Sequence, residues 1–406
     1  MNAETITERC ALLGGISEEP GRLTRRYGTP AMRLAQDAVA SWMRQAGMDV
    51  REDAVGNLIG RYQAATPGAR ALLLGSHLDT VRDAGTFDGP LGVLTALACV
   101  ERLAADGRRL PFAVEVIAFA EEEGARYAPY LGSSVMAGSF DAALLSRLDD
   151  DGAALADAIR AFDGDPDALE SARRDPAELI GYCELHIEQG PVLERAGRSL
   201  GAVTAIQGQT RVWLTLTGQA GHAGTVPMAI RHDALAAAAQ IVVAIEALAR
   251  ATEGLVATVG QLEVSPGASN VIPGQAKLSL DLRHQDDAAR DAAFAAIQQL
   301  AGQIAGERGV VASWGAARTQ AAVPCSAWLS ETVRGSIASV TGLPATSLPS
   351  GAGHDAAMLA RIAPVAMLFV RCAGGISHNP AESVTVSDVA DGLAALSGIV
   401  EALARG

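Results

Sequence analysis

No CxxC pair occurs among the five cysteines of this 406-residue chain, Cys10, Cys99, Cys183, Cys325 and Cys372. A thiolate-rich structural zinc site and a thioredoxin-like redox motif are therefore not indicated. An odd and scattered set cannot close into a disulfide framework, which fits a reducing cytoplasm. There is no GxSxG elbow, and the loop that superficially resembles a phosphate cradle, SGAGHDA, lacks the lysine of GxxxxGK. Both observations argue against a serine hydrolase or a P-loop enzyme. Apolar runs such as Leu91 to Val100 and Ile362 to Val370 stop well short of the roughly 20 residues of a spanning helix. The opening MNAETITERC carries acidic residues where a signal peptide needs a basic segment. Basic residues are outnumbered 32 to 46, a net charge of −14, which repels phosphate backbones and anionic lipid. These absences lead to the expectation of a soluble, cytoplasmic protein with neither nucleic-acid nor membrane partners.

What is present is the material of a folded core. Hydrophobic residues make up 49% and charged residues 19%, and the length suggests two or three domains. The first half alternates apolar strand-like runs with helical stretches, the rhythm of an α/β sheet sandwiched between helices. Ala71 to Leu74, Val114 to Ala120, Tyr182 to Ile187 and Val365 to Val370 read as buried strands, and GSHLDT, EEEGARY, EQG and GISHNP follow them in turn. Polar residues thus gather at strand ends, where open α/β sheets place their binding crevices. Between about Thr210 and Val323 the pattern changes to strand, helix, strand, strand, helix, strand, from TRVWLTLTG through the Ala-rich run Ile230 to Arg250, LVATVGQLEV, AKLSLDLRH and Asp286 to Ile304 to VVASWGA. That is the order of a ferredoxin-like α+β domain. The division expected is a catalytic α/β domain of residues 1–209 and 324–406 interrupted by an inserted domain of residues 210–323.

Seven histidines occur, and four of them, His77, His186, His354 and His378, lie in Gly-rich or acidic turns. A lone turn histidine is more often a satisfied hydrogen-bonding residue than a ligand, and an acidic run such as Glu121 to Glu123 is more often a solvated face. The constellation carries more weight than its members. Neutral imidazole with carboxylate suits zinc, manganese or another divalent transition ion, and His77, Asp88, Glu122, Glu123, His186 and His378 supply that set. None are paired as HExxH, so the site must be assembled from several strand ends. Two dications about 3.5–4 Å apart need a shared carboxylate and can acidify a water between them. Asp88, in FDGP just before a helix starting near Pro90, suits that bridge. Asp79 could accept the second ring N–H of His77 and set its tautomer. Of the adjacent Glu122 and Glu123, one can ligate while the other acts as general base.

The motifs GSHLDT, FDGPLG, EEEGARY, ELHIEQGPVLE, GHAGTVPM, ASNVIPG, DLRH, SGAGHDA and GISHNPAE, in this order from about Gly75 to Glu382, resemble the amidase branch of the M20 metallopeptidase-like superfamily, which includes allantoate amidohydrolases and N-carbamoyl-L-amino acid hydrolases. The resemblance implies a catalytic domain with an inserted dimerisation or lid domain and two divalent metal ions per subunit, manganese first, with zinc, cobalt or nickel also fitting. It implies His77, Asp88, Glu123, His186 and His378 as metal ligands with Asp88 bridging, and Glu122 as general base. Gln189, His222, Asn270, Arg283 and His354 are implied as substrate contacts, with His222 also stabilising the oxyanion. In a homodimer His222 and Asn270 would reach the partner subunit's site. Glu121 adds one acidic residue to the usual pair. The stretches GQTRVWLTLTGQAGHAGTVPM and MLFVRCAGGISHNPAE favour allantoate as substrate, giving ureidoglycine, ammonia and carbon dioxide. N-carbamoyl-L-amino acids are the alternative, and a catalytically inactive binding homologue would be expected to lack a ligand or the base.

Overall fold

The computed structural model describes residues 1–405. It forms two compact units, residues 1–204 with 325–405, and Ala205–Pro324. The inserted unit begins at Ala205 rather than Thr210 because its first strand already starts at Gly208, ahead of the TRVW pattern.

In the larger unit, strands β1 (Asp49–Glu52), β2 (Leu58–Tyr62), β3 (Ala71–His77), β4 (Ala113–Phe119), β5 (Leu179–Ile187), β6 (Leu200–Ile206), β7 (Thr346–Ser350) and β8 (Val365–Val370) form one mixed sheet. Its order is β1-β2-β4-β3-β5-β8-β6, with β7 also pairing β6. β4, β3, β5 and β8 run parallel, while β2 joins β4 and β6 joins β8 antiparallel. Every residue of β3, β4 and β8 is buried, which is why they read as mostly apolar runs instead of alternating; the buried Glu115 that interrupts β4 is paired with Arg61 and Arg174. Each fully buried Leu of the ALLL run contributes about 2 kcal/mol.

The helix Pro90–Ala105 shows how sequence, packing and site connect. It packs on β3 and β5 and touches the helices Ala3–Gly14 and Val386–Arg405, so apolar residues cover nearly its whole circumference. It starts with proline in its first turn, right after Gly89 at φ +83°. A Cβ at Gly89 would stand 2.6 Å from the His77 ring, so glycine is needed both for the backbone and for the close approach.

The four parallel strands end on one side of the sheet. His77 closes β3, Glu121 to Glu123 follow β4, His186 is the penultimate residue of β5, and the loop with Ser377 and His378 follows β8.

The smaller unit is an antiparallel sheet in the order Leu262–Ser265, Gln275–His284, Gly208–Thr217, Val311–Trp314, with Val256–Thr258 and Arg318–Gln320 pairing as well. Helices Ala234–Ala251 and Asp287–Glu307 pack on it. Along Gln275–His284 the residues Ala276, Leu278, Leu280, Leu282 and His284 are buried while their neighbours face outward, the two-residue period of a half-buried strand. Two details differ from expectation. LVATVGQLEV is broken between Thr258 and Leu262, where the N–H of Gln261 donates to Ser279 Oγ at 3.0 Å instead of to the ladder. The Ala-rich helix begins only at Ala234, where Asp233 accepts the Ala236 N–H at 3.0 Å as an N-cap. Its 18 residues are long and apolar enough by composition to cross a membrane, unlike the shorter runs noted from the sequence. Ala234, Ala237, Ala238, Ile241 and Ile245 are nonetheless buried in the core of this unit, at helical spacing.

Candidate metal centre

Six of the expected residues converge at the carboxyl ends of the parallel strands. Ligand atoms of His77, Asp88 and His186 lie within 4.8 Å of one another, as do those of Asp88, Glu123 and His378. Asp88 is common to both groups. Its Oδ1 stands 3.1 Å from His186 Nε2 and 3.8 Å from His77 Nε2, and its Oδ2 3.1 Å from His378 Nε2. The imidazoles are held through their other nitrogens: His77 Nδ1 lies 2.9 Å from the Asp79 carbonyl and His186 Nδ1 2.9 Å from the Ile187 carbonyl. Donation to these carbonyls leaves both Nε2 atoms pointing at the shared carboxylate. His186 Nε2 is buried without a hydrogen-bond partner, its contact with Asp88 lying outside hydrogen-bond geometry. An orphaned buried imidazole nitrogen is costly unless something binds it. Two imidazole–carboxylate triads joined through one aspartate fit a pair of divalent cations.

Asp79 acts differently from the sequence expectation. Its carboxylate lies 3.7 Å from His77 Nδ1, so the tautomer is set by its backbone carbonyl. The two carboxylate oxygens accept instead from the N–H groups of Glu122 at 3.1 Å and Glu123 at 3.0 Å. Glu121, the additional acidic residue, turns away from the centre. With φ at +54° it accepts from the N–H groups of Arg126 and Tyr127 at 2.7 and 2.6 Å and ties down the loop. That leaves Glu122, whose Oε2 is 3.8 Å from His77 Nε2, and Glu123, 3.5 Å from His378 Nε2, facing the centre.

Crowded, buried carboxylates and imidazoles shift one another's protonation strongly. Burial, then the charges of Asp355, Glu123 and Asp79, hold the Glu122 carboxyl well above its usual range, and burial with Asp88 pushes Glu123 up to about 8. Burial alone would raise Asp88 too, but contacts from His186 and His378 hold it well below the ordinary value. Burial lowers His77 to about 4. His186 rises to about 9 because Asp88 outweighs its burial, and His378, held first by Asp88, also rises to about 9.

The other expected residues are placed less directly. Gln189, at φ +57°, donates its amide to Asp88 Oδ2 at 2.8 Å, while its buried Oε1 has no partner among the described residues. His354 is fully buried: its Nε2 is 2.8 Å from Ser350 Oγ and its ring meets that of His186 edge-on at 4.6 Å. It packs against the His186 ring. In the smaller unit, the strand pair Gly221–His222 and Val271–Ile272 sets His222 opposite Val271, and the Ala223 N–H donates to the Asn270 carbonyl at 3.0 Å. His222 and Asn270 are thereby neighbours, both exposed. Arg283 grips Asp281 through Nε at 2.8 Å and Nη2 at 2.9 Å.

Sequence reasoning assigned nothing to Glu382, Ser377, Glu184 or Asp355, although all four lie within the quoted motifs. Glu382 receives the N–H groups of Phe87 and Asp88. Glu184 accepts from Ser76 and Tyr182 at 3.0 Å each. Acidic residues inside otherwise apolar or Gly-rich motifs were the available signal.

Comparison with known proteins gives this geometry its class. The model of peptidase family M20/M25/M40 matches residues 73–402. The chain is 44% identical over its whole length, and that of the relative, to an N-carbamoyl-L-amino acid amidohydrolase of Geobacillus stearothermophilus. It is 40% identical to an allantoate deiminase of Glycine max, across 95% of this chain and 86% of that one. A hydantoinase/carbamoylase family amidase from Burkholderia ambifaria superposes with a TM-score of 0.92 at 36% identity, covering 100% and 98% of the two chains. The chain belongs to the M20/M25/M40 peptidase family, in its amidase branch. It is a hydrolase of carbon–nitrogen bonds.

Proposed function

We propose that the protein is a two-metal amidohydrolase that cleaves the ureido C–N bond of a small carboxylate substrate. The carrying observation is Asp88, shared by two triads of imidazole and carboxylate whose ligand atoms lie within 4.8 Å. Two divalent cations held by His77, Asp88 and His186 and by Asp88, Glu123 and His378 would acidify a water and polarise the scissile carbonyl. Their charge would also offset the carboxylate repulsion that keeps Glu122 protonated, bringing it back toward the range of a proton acceptor. Glu122 would take the proton of the attacking water at its carboxylate and deliver it to the departing nitrogen. Gln189 orients Asp88 through Nε2 and offers its unpartnered Oε1 to a substrate N–H. We assign Arg283, whose guanidinium is anchored by Asp281 through Nε and Nη2, to the substrate carboxylate. We assign His222 and Asn270 to substrate and oxyanion contacts, delivered across a homodimer.

N-carbamoyl-L-amino acids are the first substrate class, because the relative of that name matches at the higher identity over both full lengths. This reverses the order suggested by the motif strings alone. Allantoate is the second reading, supported by the deiminase likeness. Ammonia release from both substrate sets, before and after chelation and with Mn²⁺ restored, tests the proposal. Activity that survives complete metal removal would sink it, and no turnover of either set under any metal condition would favour a binding homologue.

A further inference from the structure

Glu382 closes the motif GISHNPAE and has no role in the reading above. Its side chain is buried and both oxygens are engaged. Oε1 accepts from the backbone N–H of Phe87 at 2.8 Å and of Asp88 at 3.1 Å, and Oε2 lies 3.0 Å from Ser377 Oγ. Ser377 Oγ also stands 2.9 Å from Asp88 Oδ2. One hydroxyl carries one proton, so Ser377 can donate to only one of these carboxylates at a time. Room for the arrangement comes from Gly85, where any Cβ would overlap the Glu382 side chain. One carboxylate thus reaches both the loop that carries Asp88 and the loop that carries His378.

We propose that Glu382 is a positioning residue that holds Asp88 and His378 at ligating separation before any cation arrives. The inference rests on the two-metal reading. Asp88 and His378 stand on loops far apart in sequence, after β3 and after β8, and Glu382 is bonded to the backbone of the first while it belongs to the second. A single buried acceptor oxygen that takes two consecutive backbone N–H groups fixes the turn that carries them, and a site fixed in advance loses less freedom on binding. Without Glu382 that ordering would have to be bought from the binding energy of the ions.

The test is calorimetric titration of Mn²⁺ into the metal-free parent, E382A, E382D and E382Q, with the melting temperature of each metal-free form. E382A should bind about 10–100-fold more weakly, the usual effect of losing an outer support of a metal site. E382D keeps the charge but withdraws it by about 1.5 Å, one carbon–carbon bond, and should lose about tenfold while melting within about 3 °C of the parent. E382Q preserves the Oε1 acceptor and can donate to Ser377, so it should stay within about threefold of the parent. E382D decides the matter if E382A fails to fold. Parental affinity in E382D, or a loss in E382Q as large as in E382D, overturns the proposal alone. A parent chain that takes up no Mn²⁺ overturns the two-metal reading and this proposal with it.

Discussion

The two units hold their chemistry in different ways. In residues 1–204 and 325–405 the centre's side chains His77, Asp88, Glu122 and His186 are buried, Glu123 is half-buried and His378 is exposed, with ligand atoms gathered within 4.8 Å in each group. In Ala205–Pro324 the residues assigned to substrate, His222 and Asn270, stand exposed, and Arg283 is held by a neighbour on its own strand. The first group is built into the core, so its geometry exists before anything binds. The second lies on the surface, where it is open to solvent. Substitutions in the two groups should therefore fail differently, the first in what the protein holds and the second in what it recognises.

The largest effect is expected at Asp88. D88A should lose most bound metal and bring turnover below detection, as read by elemental analysis and ammonia release. E122Q should follow closely, with turnover down more than about 10³-fold, within the range of removing a general base, yet with metal content near that of the parent. Near-normal turnover in E122Q would move the base elsewhere. R283A should raise KM by about 10–100-fold, the loss of a charged hydrogen-bond pair, while kcat and metal content change less. If R283A lost metal instead, the proposed division of labour between the units would be wrong.

A smaller effect tests the charge state of the core. His186 and His378 are raised to about 9 and Glu123 to about 8 in the metal-free protein, so at pH 7 these groups carry protons that ligation must displace. A folded-state pKa above the solution value means the proton is held more tightly. Metal affinity should therefore fall as pH drops below 8 and strengthen as pH rises toward 9, with protons released on binding. Titrations in buffers of different ionisation enthalpy would measure that release, and zero release at pH 7 would contradict the assigned ligands.

Much of the larger unit was legible in the sequence, because strands buried on both faces write themselves as mostly apolar runs and the candidate ligands follow strand ends. Val365 to Val370 was read at its observed limits, and the six residues that meet at the centre were all named from their motifs. Less legible was anything that depends on which atom of a residue is used. Asp79 lies two residues after His77, and proximity suggested a side-chain contact to the ring, whereas the backbone carbonyl takes that place. His354 shared a Gly-rich loop with no sign that its ring would turn inward against His186. Glu382 was hidden because its partners, Phe87 and Asp88, lie far from it in the chain. In the smaller unit, LVATVGQLEV looked continuous because β-propensity does not register a side-chain hydroxyl capturing one N–H.

The grip of Asp79 on two consecutive amides has a mechanical consequence. Glu122 and Glu123 hang from adjacent links clamped by a single carboxylate, so the proposed proton carrier and the proposed ligand are tied to one anchor. A displacement that brought either nearer the substrate would carry the other along. Loosening the clamp, as in D79N, should blur both positions together.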